Sequence, residues 1–318
     1  MSVTKRGRHI VALAILLVGL VACATPGPVL TESVGTLRTG INTAREQSRL
    51  AFEAANSIAR DQAIERKVDD ARAVSIAESD FPLAVAQADI DQWATAFGAL
   101  DLYAASLQKL VDSNLSQGTG DALQALGEQL QNGKAINAKL PSGIAGVFAS
   151  FGQALVQARA EKKATDVMRR VSPEFSTVMS RMGDAIGADN TSDLRGTVHT
   201  NWATVLARIR ESFADTPAGN RDARRGVVQQ FLDALNARDA QLANLDQLRT
   251  SLIALGEAHA AAGRGNHAEA LFWVERIDGW LDDVRRRTQE IQKAHEEALK
   301  AKKEAEQEAR DKAKEKQK

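Results

Sequence analysis

Residues 274–298 read VERIDGWLDDVRRRTQEIQKAHEEA, and their apolar side chains recur at alternating steps of three and four residues. This spacing places those side chains on one face of an α-helix, in a heptad pattern about three heptads long. The pattern predicts an interaction seam that packs either against the helix's own hairpin mate or against a partner chain. The seam consists of Val274, Ile277, Leu281, Val284 and Ile291.

The segment before the seam predicts the hairpin mate. Residues 263–266 (GRGN) separate two long helical patterns, at 221–262 and 266–315, and short turns of this kind join antiparallel helices. Residues 293–318 then carry Lys, Glu and Ala with almost no larger apolar residue. Such a tail is either a solvent-exposed helix with many pairs of oppositely charged side chains or a frayed, disordered end.

The rest of the chain has the composition of long helices. Of its 318 residues 44% are hydrophobic but only 4% are aromatic, and about one in six is alanine, the best helix former. No segment alternates between apolar and polar residues as a strand would. We therefore predict an all-α fold, an elongated bundle of about six to eight helices with a long C-terminal antiparallel hairpin. The predicted units are a helical bundle at 32–215, a hairpin at 221–292 that packs on or extends from it, and the charged tail at 293–318.

The N-terminus predicts an export signal. Lys5, Arg6 and Arg8 precede a run of 13 uncharged, mostly apolar residues at 10–22. A helix that spans a bilayer needs about 20 apolar residues, whereas 7–15 are typical of the apolar region of a signal peptide. The run ends in Leu20-Val21-Ala22 and is followed by Cys23, the single cysteine of the chain.

These four residues resemble the lipobox of bacterial lipoproteins. The resemblance implies that residues 1–22 are a signal peptide cleaved after Ala22. It also implies that Cys23 receives a diacylglycerol thioether and an N-acyl chain such as palmitate. Residues 23–31, which include Pro26, Gly27 and Pro28, would then form the lipidated tether. The alternatives are an ordinary secretory signal with a chance cysteine, or an uncleaved N-terminal anchor.

The residue after Cys23 bears on the membrane to which a lipoprotein is sorted. Ala24 stands there rather than Asp. In Gram-negative bacteria the resemblance then implies sorting to the periplasmic face of the outer membrane. For other hosts it leaves another membrane leaflet or the cell surface.

The turn region at 252–280 resembles one tetratricopeptide repeat. Leu255-Gly256, His259, Gly263, Ala268 and Phe272 stand at the corresponding spacings. The resemblance implies small residues that let the two hairpin helices pack closely, and a concave face that binds peptides. No second copy is present in the sequence, and arrays of such repeats need about three to bury a core. The alternative is an ordinary tight helical hairpin.

Residues 140–158 (LPSGIAGVFASFGQALVQA) form a long stretch without charge. Its apolar stripe predicts either a central core helix or a segment that inserts into a membrane. A helix continues to about residue 171, and a new one is predicted at Ser172-Pro173-Glu174, because serine caps helices and proline fits their first turn.

Several function classes are disfavoured by what the sequence contains. Lysine and arginine balance aspartate and glutamate at 41 each, so we expect no nucleic-acid partner. A single cysteine excludes an internal disulfide and a cysteine zinc site, and we expect no metal site even though His259 and His267 flank one turn. No GxSxG, phosphate-loop, HExxH or dinucleotide motif is present, so we predict no enzyme, no small-molecule substrate and no cofactor beyond the lipid on Cys23.

The sequence therefore predicts a lipid-anchored periplasmic envelope protein that acts as a non-catalytic structural or protein-interaction scaffold. Its expected partners are the membrane, through the lipid, and a protein partner or a second copy, through helices. The alternative is a membrane-active protein that inserts residues 140–158.

Overall fold

The computed structural model of the chain describes residues 27–69, 75–111, 121, 147–148, 150–155 and 164–315. These ranges hold helices and their connections and no strand, so the predicted all-α class is confirmed. The helices are α1 (Gly27–Asp69), α2 (Gln87–Val111), α3 (Ala164–Ile186), α4 (Asp193–Asp215), α5 (Arg221–Gly263) and α6 (His267–Glu315). A short 3-10 turn, Glu78–Asp80, precedes α2.

The predicted C-terminal hairpin is confirmed. Helices α5 and α6 run antiparallel, and Asn244 Nδ2 donates to Thr288 Oγ1 at 3.2 Å between them. Their turn contains Gly265 at φ 77°, a left-handed conformation that glycine adopts without steric cost. With 43 residues, α5 is about 65 Å long at 1.5 Å per residue, and it packs against α1, α3, α4 and α6.

Helices α1 and α6 run parallel, although they lie at opposite ends of the chain. Ser33 Oγ lies 3.3 Å from His267 Nδ1, and further along both helices Gln47 Nε2 donates to the carbonyl oxygen of Leu281 at 3.1 Å. The first turns of both helices therefore meet at one end of the bundle. We call this end the α1 end.

The start of α1 differs from the prediction. The helix begins at Gly27, so residues 27–31, which we expected in the extended tether, are helical. Pro28 lies in the first turn of the helix, where its missing N–H leaves no intrahelical bond unmade. Residues 23–26 of the predicted tether lie outside the described residues.

The helix start predicted at Ser172 is wrong. Helix α3 runs through this position, with Pro173 inside it. The Ser172 hydroxyl does not cap a helix but donates to the carbonyl oxygen of Met168 at 2.7 Å. Two good start signals are overridden here because the apolar face of α3 continues across them, from Met168 to Phe175.

Candidate functional site

The residues of the predicted lipidation site, Leu20, Val21, Ala22 and Cys23, lie outside the described residues. The nearest described helix nevertheless limits how far Cys23 can lie from the bundle. Helix α1 begins four residues after Cys23, at Gly27, and Ser33 contacts the first residue of α6. Four residues span at most about 14 Å.

The predicted seam packs inside the bundle. Val274, Ile277, Leu281 and Val284 are at most 2% exposed. A Cβ placed on Gly40 of α1 would lie 4.0 Å from both Val274 Cγ1 and Ile277 Cγ2, so α1 approaches these side chains closely. The side chain of Ile291 lies outside the described residues. Of the two occupants considered for the seam, the chain's own helices fill its first four positions.

A buried polar network at the α1 end joins three helices. His259 of α5 is fully buried, and its Nε2 lies 2.8 Å from the hydroxyl of Tyr103 on α2. Its Nδ1 lies 3.1 Å from Ser172 Oγ on α3. Phe175 stacks on the imidazole, with ring centroids 4.1 Å apart and planes 9° from parallel.

The hydrogen bonds of this network assign its protons. The Ser172 hydroxyl donates to the carbonyl oxygen of Met168, so it accepts from Nδ1–H of His259. Nε2 of the same ring then accepts from the Tyr103 hydroxyl. This arrangement satisfies a neutral imidazole, and burial lowers the pKa of His259 to about 3. Burial also raises the pKa of Tyr103 well above its ordinary value.

Serine, histidine and tyrosine also occur together in catalytic sites, but here the hydrogen bond between serine and histidine runs in the opposite direction. A general base must accept the serine proton, whereas His259 donates to Ser172. The imidazole is also sealed from solvent, so no substrate reaches it. The network therefore fixes how three helices pack and is unsuited to nucleophilic catalysis.

The two histidines of the turn region do not face each other. His259 points into the core, whereas His267 pairs with Ser33. Across the described ranges no group of three or more His, Cys, Asp or Glu side chains is placed to hold a metal ion.

Two glycines of the repeat-like turn, Gly256 and Gly263, lie against α3. A Cβ on Gly256 would lie 3.2 Å from Ser176 Cα, and one on Gly263 would lie 3.0 Å from Arg169 N. Both of these contacts belong to α3. These two glycines therefore allow α5 to approach α3 closely.

The charge-free stretch at 140–158 is described in part. Its residues 147–148 and 150–155 are helical, and Phe148, Phe151 and Leu155 are fully buried. Phe151 lies 4.8 Å from Tyr103 between ring centroids, so this stretch joins the buried network. Among the helices of the described residues, none is long and apolar enough to cross a membrane.

A cavity of about 260 Å³ lies where α1, α2 and the α3–α4 connection meet. Binding sites for small molecules usually measure about 300–1,000 Å³. Phe52 and Trp93 contribute apolar surface, whereas Asp89, Asp193 and Thr197 contribute its polar groups. The Thr197 hydroxyl donates to the carbonyl oxygen of Asp193 at 3.0 Å.

Sequence reasoning missed the buried network because its partners are distant in the chain. Tyr103 and Ser172 lie 156 and 87 residues from His259. The available signal was a histidine within the run at 252–262, which is apolar except for His259 and Glu257, because a buried histidine needs a hydrogen-bond partner. Comparison of the chain with protein-family models, with curated proteins and with solved structures gives no match.

Proposed function

We propose that the protein is a lipid-anchored scaffold of the bacterial envelope, held to the outer membrane through Cys23, that binds a protein partner without catalysing a reaction. The observation that carries the proposal is the position of the α1 end. Helix α1 begins four residues after Cys23, so a lipid on this cysteine would hold the α1 end within about 14 Å of the bilayer surface.

The interior of the bundle supports a scaffold more than a catalyst. Its most elaborate polar site, the network around His259, is closed to solvent and holds a neutral histidine. By contrast the helices are long, and the hairpin of α5 and α6 offers extended outer faces for a partner. Side chains on rigid helices keep fixed spacings, which suits a surface that positions another protein.

Insertion of residues 140–158 into a membrane has less support. Phe148, Phe151 and Leu155 would have to leave the core, and each fully buried side chain of this size contributes about 1.5–3 kcal/mol. We therefore do not adopt this alternative.

The anchor is tested by changing Cys23→Ser in the full-length chain expressed in a Gram-negative host. We expect the wild type in the outer-membrane fraction and labelled by radioactive palmitate. The variant should lose the label and leave the membrane fraction, because serine forms no thioether. A variant that fractionates like the wild type would show that something other than Cys23 holds the protein.

The scaffold role is tested on the lipidated protein extracted in mild detergent. We expect a particle larger than one chain, since a scaffold exists to hold a second molecule. Its mass, measured by light scattering with correction for detergent, distinguishes a second copy from a different partner. A strict monomer after gentle extraction and after crosslinking in intact cells would contradict the proposal.

A further inference from the structure

An aromatic cluster surrounds one arginine on the outer face of α6. The Arg276 guanidinium carbon lies 5.4 Å from the ring centroid of Phe272, 5.7 Å from that of Trp273 and 5.0 Å from that of Trp280. Phe272 is 50% exposed and the two tryptophans are half-buried. We call these four residues the α6 patch.

The patch is apolar where a helix surface is usually charged. Two of the four tryptophans of the chain lie in it, whereas Trp93 and Trp202 are buried. Successive residues turn by about 100° around a helix, so the patch lies on one flank of α6, beside the buried seam. Trp273 and Trp280 each pack one side against the core, whereas Phe272 and Arg276 are exposed.

Arg276 differs from the other arginines of α6 whose side chains the structure describes. Arg285, Arg286 and Arg287 each lie within 4.0 Å of a carboxylate oxygen on the same helix. Arg276 instead lies beside three aromatic rings, and it forms no ion pair within 4.0 Å among the described residues. A guanidinium beside tryptophan and phenylalanine rings that forms no ion pair with a described carboxylate is suited to an anionic group that lies beside apolar material.

The patch also lies near the α1 end. Ser33 is six residues, or about 9 Å of helix rise, from Gly27, and it contacts His267. Because α1 and α6 run parallel, Phe272 and Trp280 follow about 8 and 20 Å further along the bundle. A bundle tethered at Cys23 therefore brings the patch against the bilayer when it leans over on this flank.

We propose that the α6 patch rests in the headgroup region of the membrane that carries the anchor, with Arg276 on lipid phosphates and the rings at the edge of the acyl chains. Tryptophan favours this interfacial zone, where its ring meets apolar chains and its N–H meets water. The contact is a second membrane attachment that sets the orientation of the scaffold. It rests on the proposed anchorage at Cys23.

The test reproduces the anchor chemically, so it is independent of lipidation in cells. A chain that begins at Cys23 keeps every contact of the described helices, and its single thiol couples to a maleimide lipid in vesicles of phosphatidylethanolamine and phosphatidylglycerol. The vesicles contain lipids brominated near the headgroup, which quench tryptophan fluorescence at short range. We expect quenching in the coupled protein, with the signal lost when Trp273 and Trp280 are both replaced by Phe.

Matched variants distinguish membrane contact through the α6 patch from nonspecific contact through any exposed apolar side chain. Phe272→Ser with Arg276→Ser should reduce the quenching of the remaining tryptophans to the level of vesicles without bromine. Val228→Ser with Leu232→Ser serves as the control, since these side chains are 45% and 46% exposed on α5, far from the α1 end. This control should be quenched like the wild type. Circular dichroism checks that both variants are folded.

Two results would overturn the proposal. One is a coupled wild type whose tryptophans are not quenched although the protein is bound to the vesicles. The other is a dimer in solution that the patch variant abolishes, because a second copy would then cover the surface. Neither result bears on Cys23, whose role is decided by the fractionation of Cys23→Ser.

Discussion

The side chain of His259 shows how one polar residue ties three helices together. Both of its ring nitrogens are used, one by Tyr103 and one by Ser172, and Phe175 covers its face. A buried polar group without a partner costs about 1–3 kcal/mol, so alternative packings of α2, α3 and α5 that break these bonds are disfavoured. The network therefore contributes to the uniqueness of the fold.

The low pKa of His259 predicts a pH dependence of stability. The folded pKa of about 3 is below the unfolded value of about 6.5, so the unfolded chain binds the proton first as the pH falls. The contribution of this histidine to the free energy of unfolding is therefore fully present above about pH 6.5. It should decrease towards pH 3, by up to about 1.4 kcal/mol per pH unit.

The measurement compares wild type with His259→Gln by urea denaturation from pH 7 to pH 4. The variant should be less stable at pH 7 but should lose less stability on acidification, because it has no group to protonate at this position. Equal slopes in the two proteins would contradict a buried neutral histidine.

Glycine at 263 is required by a close approach of backbones. A Cβ there would lie 3.0 Å from Arg169 N and from the Met168 carbonyl carbon, which belong to the backbone of α3 and cannot rotate away. We expect Gly263→Ala to lower the free energy of unfolding by about 1–3 kcal/mol.

Gly226→Ala is the matched control for this substitution. It lies in the same helix, and a Cβ there would meet nothing within 4 Å, so the change should raise the free energy of unfolding by about 0.5–1 kcal/mol. Urea denaturation measures both variants. A neutral Gly263→Ala would mean that α3 and α5 are further apart than described.

At the scale of elements, the seam of α6 is part of the core. Ile277 is fully buried, so Ile277→Ala should cost about 2–5 kcal/mol, whereas Val228→Ala on the exposed face of α5 should change stability by less than about 0.5 kcal/mol. Denaturant midpoints test this pair. If Ile277→Ala instead split a dimer and left the monomer's stability unchanged, the seam would belong to an intermolecular interface.

The elements differ in how far the sequence predicts them. The hairpin of α5 and α6 was predicted to within a residue or two, because its periodic faces and its glycine turn are local signals. Ser172 misled the prediction because its hydroxyl and Pro173 suit a helix start, and only packing decides otherwise. The parallel contact of α1 with α6 could not be predicted, because it joins residues 234 apart in the sequence. The apolar pattern of one helix does not show which other helix packs against it.

In the whole molecule, the packing of α1 depends on the presence of α6. A chain that ends at Gly263 lacks the helix that lies beside Gly40 and Gln47, so the part of α1 that faces α6 becomes exposed. We expect this truncation to bind the dye ANS and to unfold without a cooperative transition. A chain that ends at Lys293 keeps every described seam contact and should unfold cooperatively. Native-like melting of the shorter chain would contradict this dependence.

The pairing of the first helix with the last also has a consequence for the order of events during synthesis. Helix α1 leaves the ribosome first, yet its mate is made only after more than 200 further residues. Helix α2 is made soon after α1 and packs on part of it, but the part of α1 that faces α6 has no cover until then, and contacts between such distant residues form slowly. The face of α1 that packs on α6 is therefore open to aggregation and proteolysis until the C-terminal part of the chain has been made.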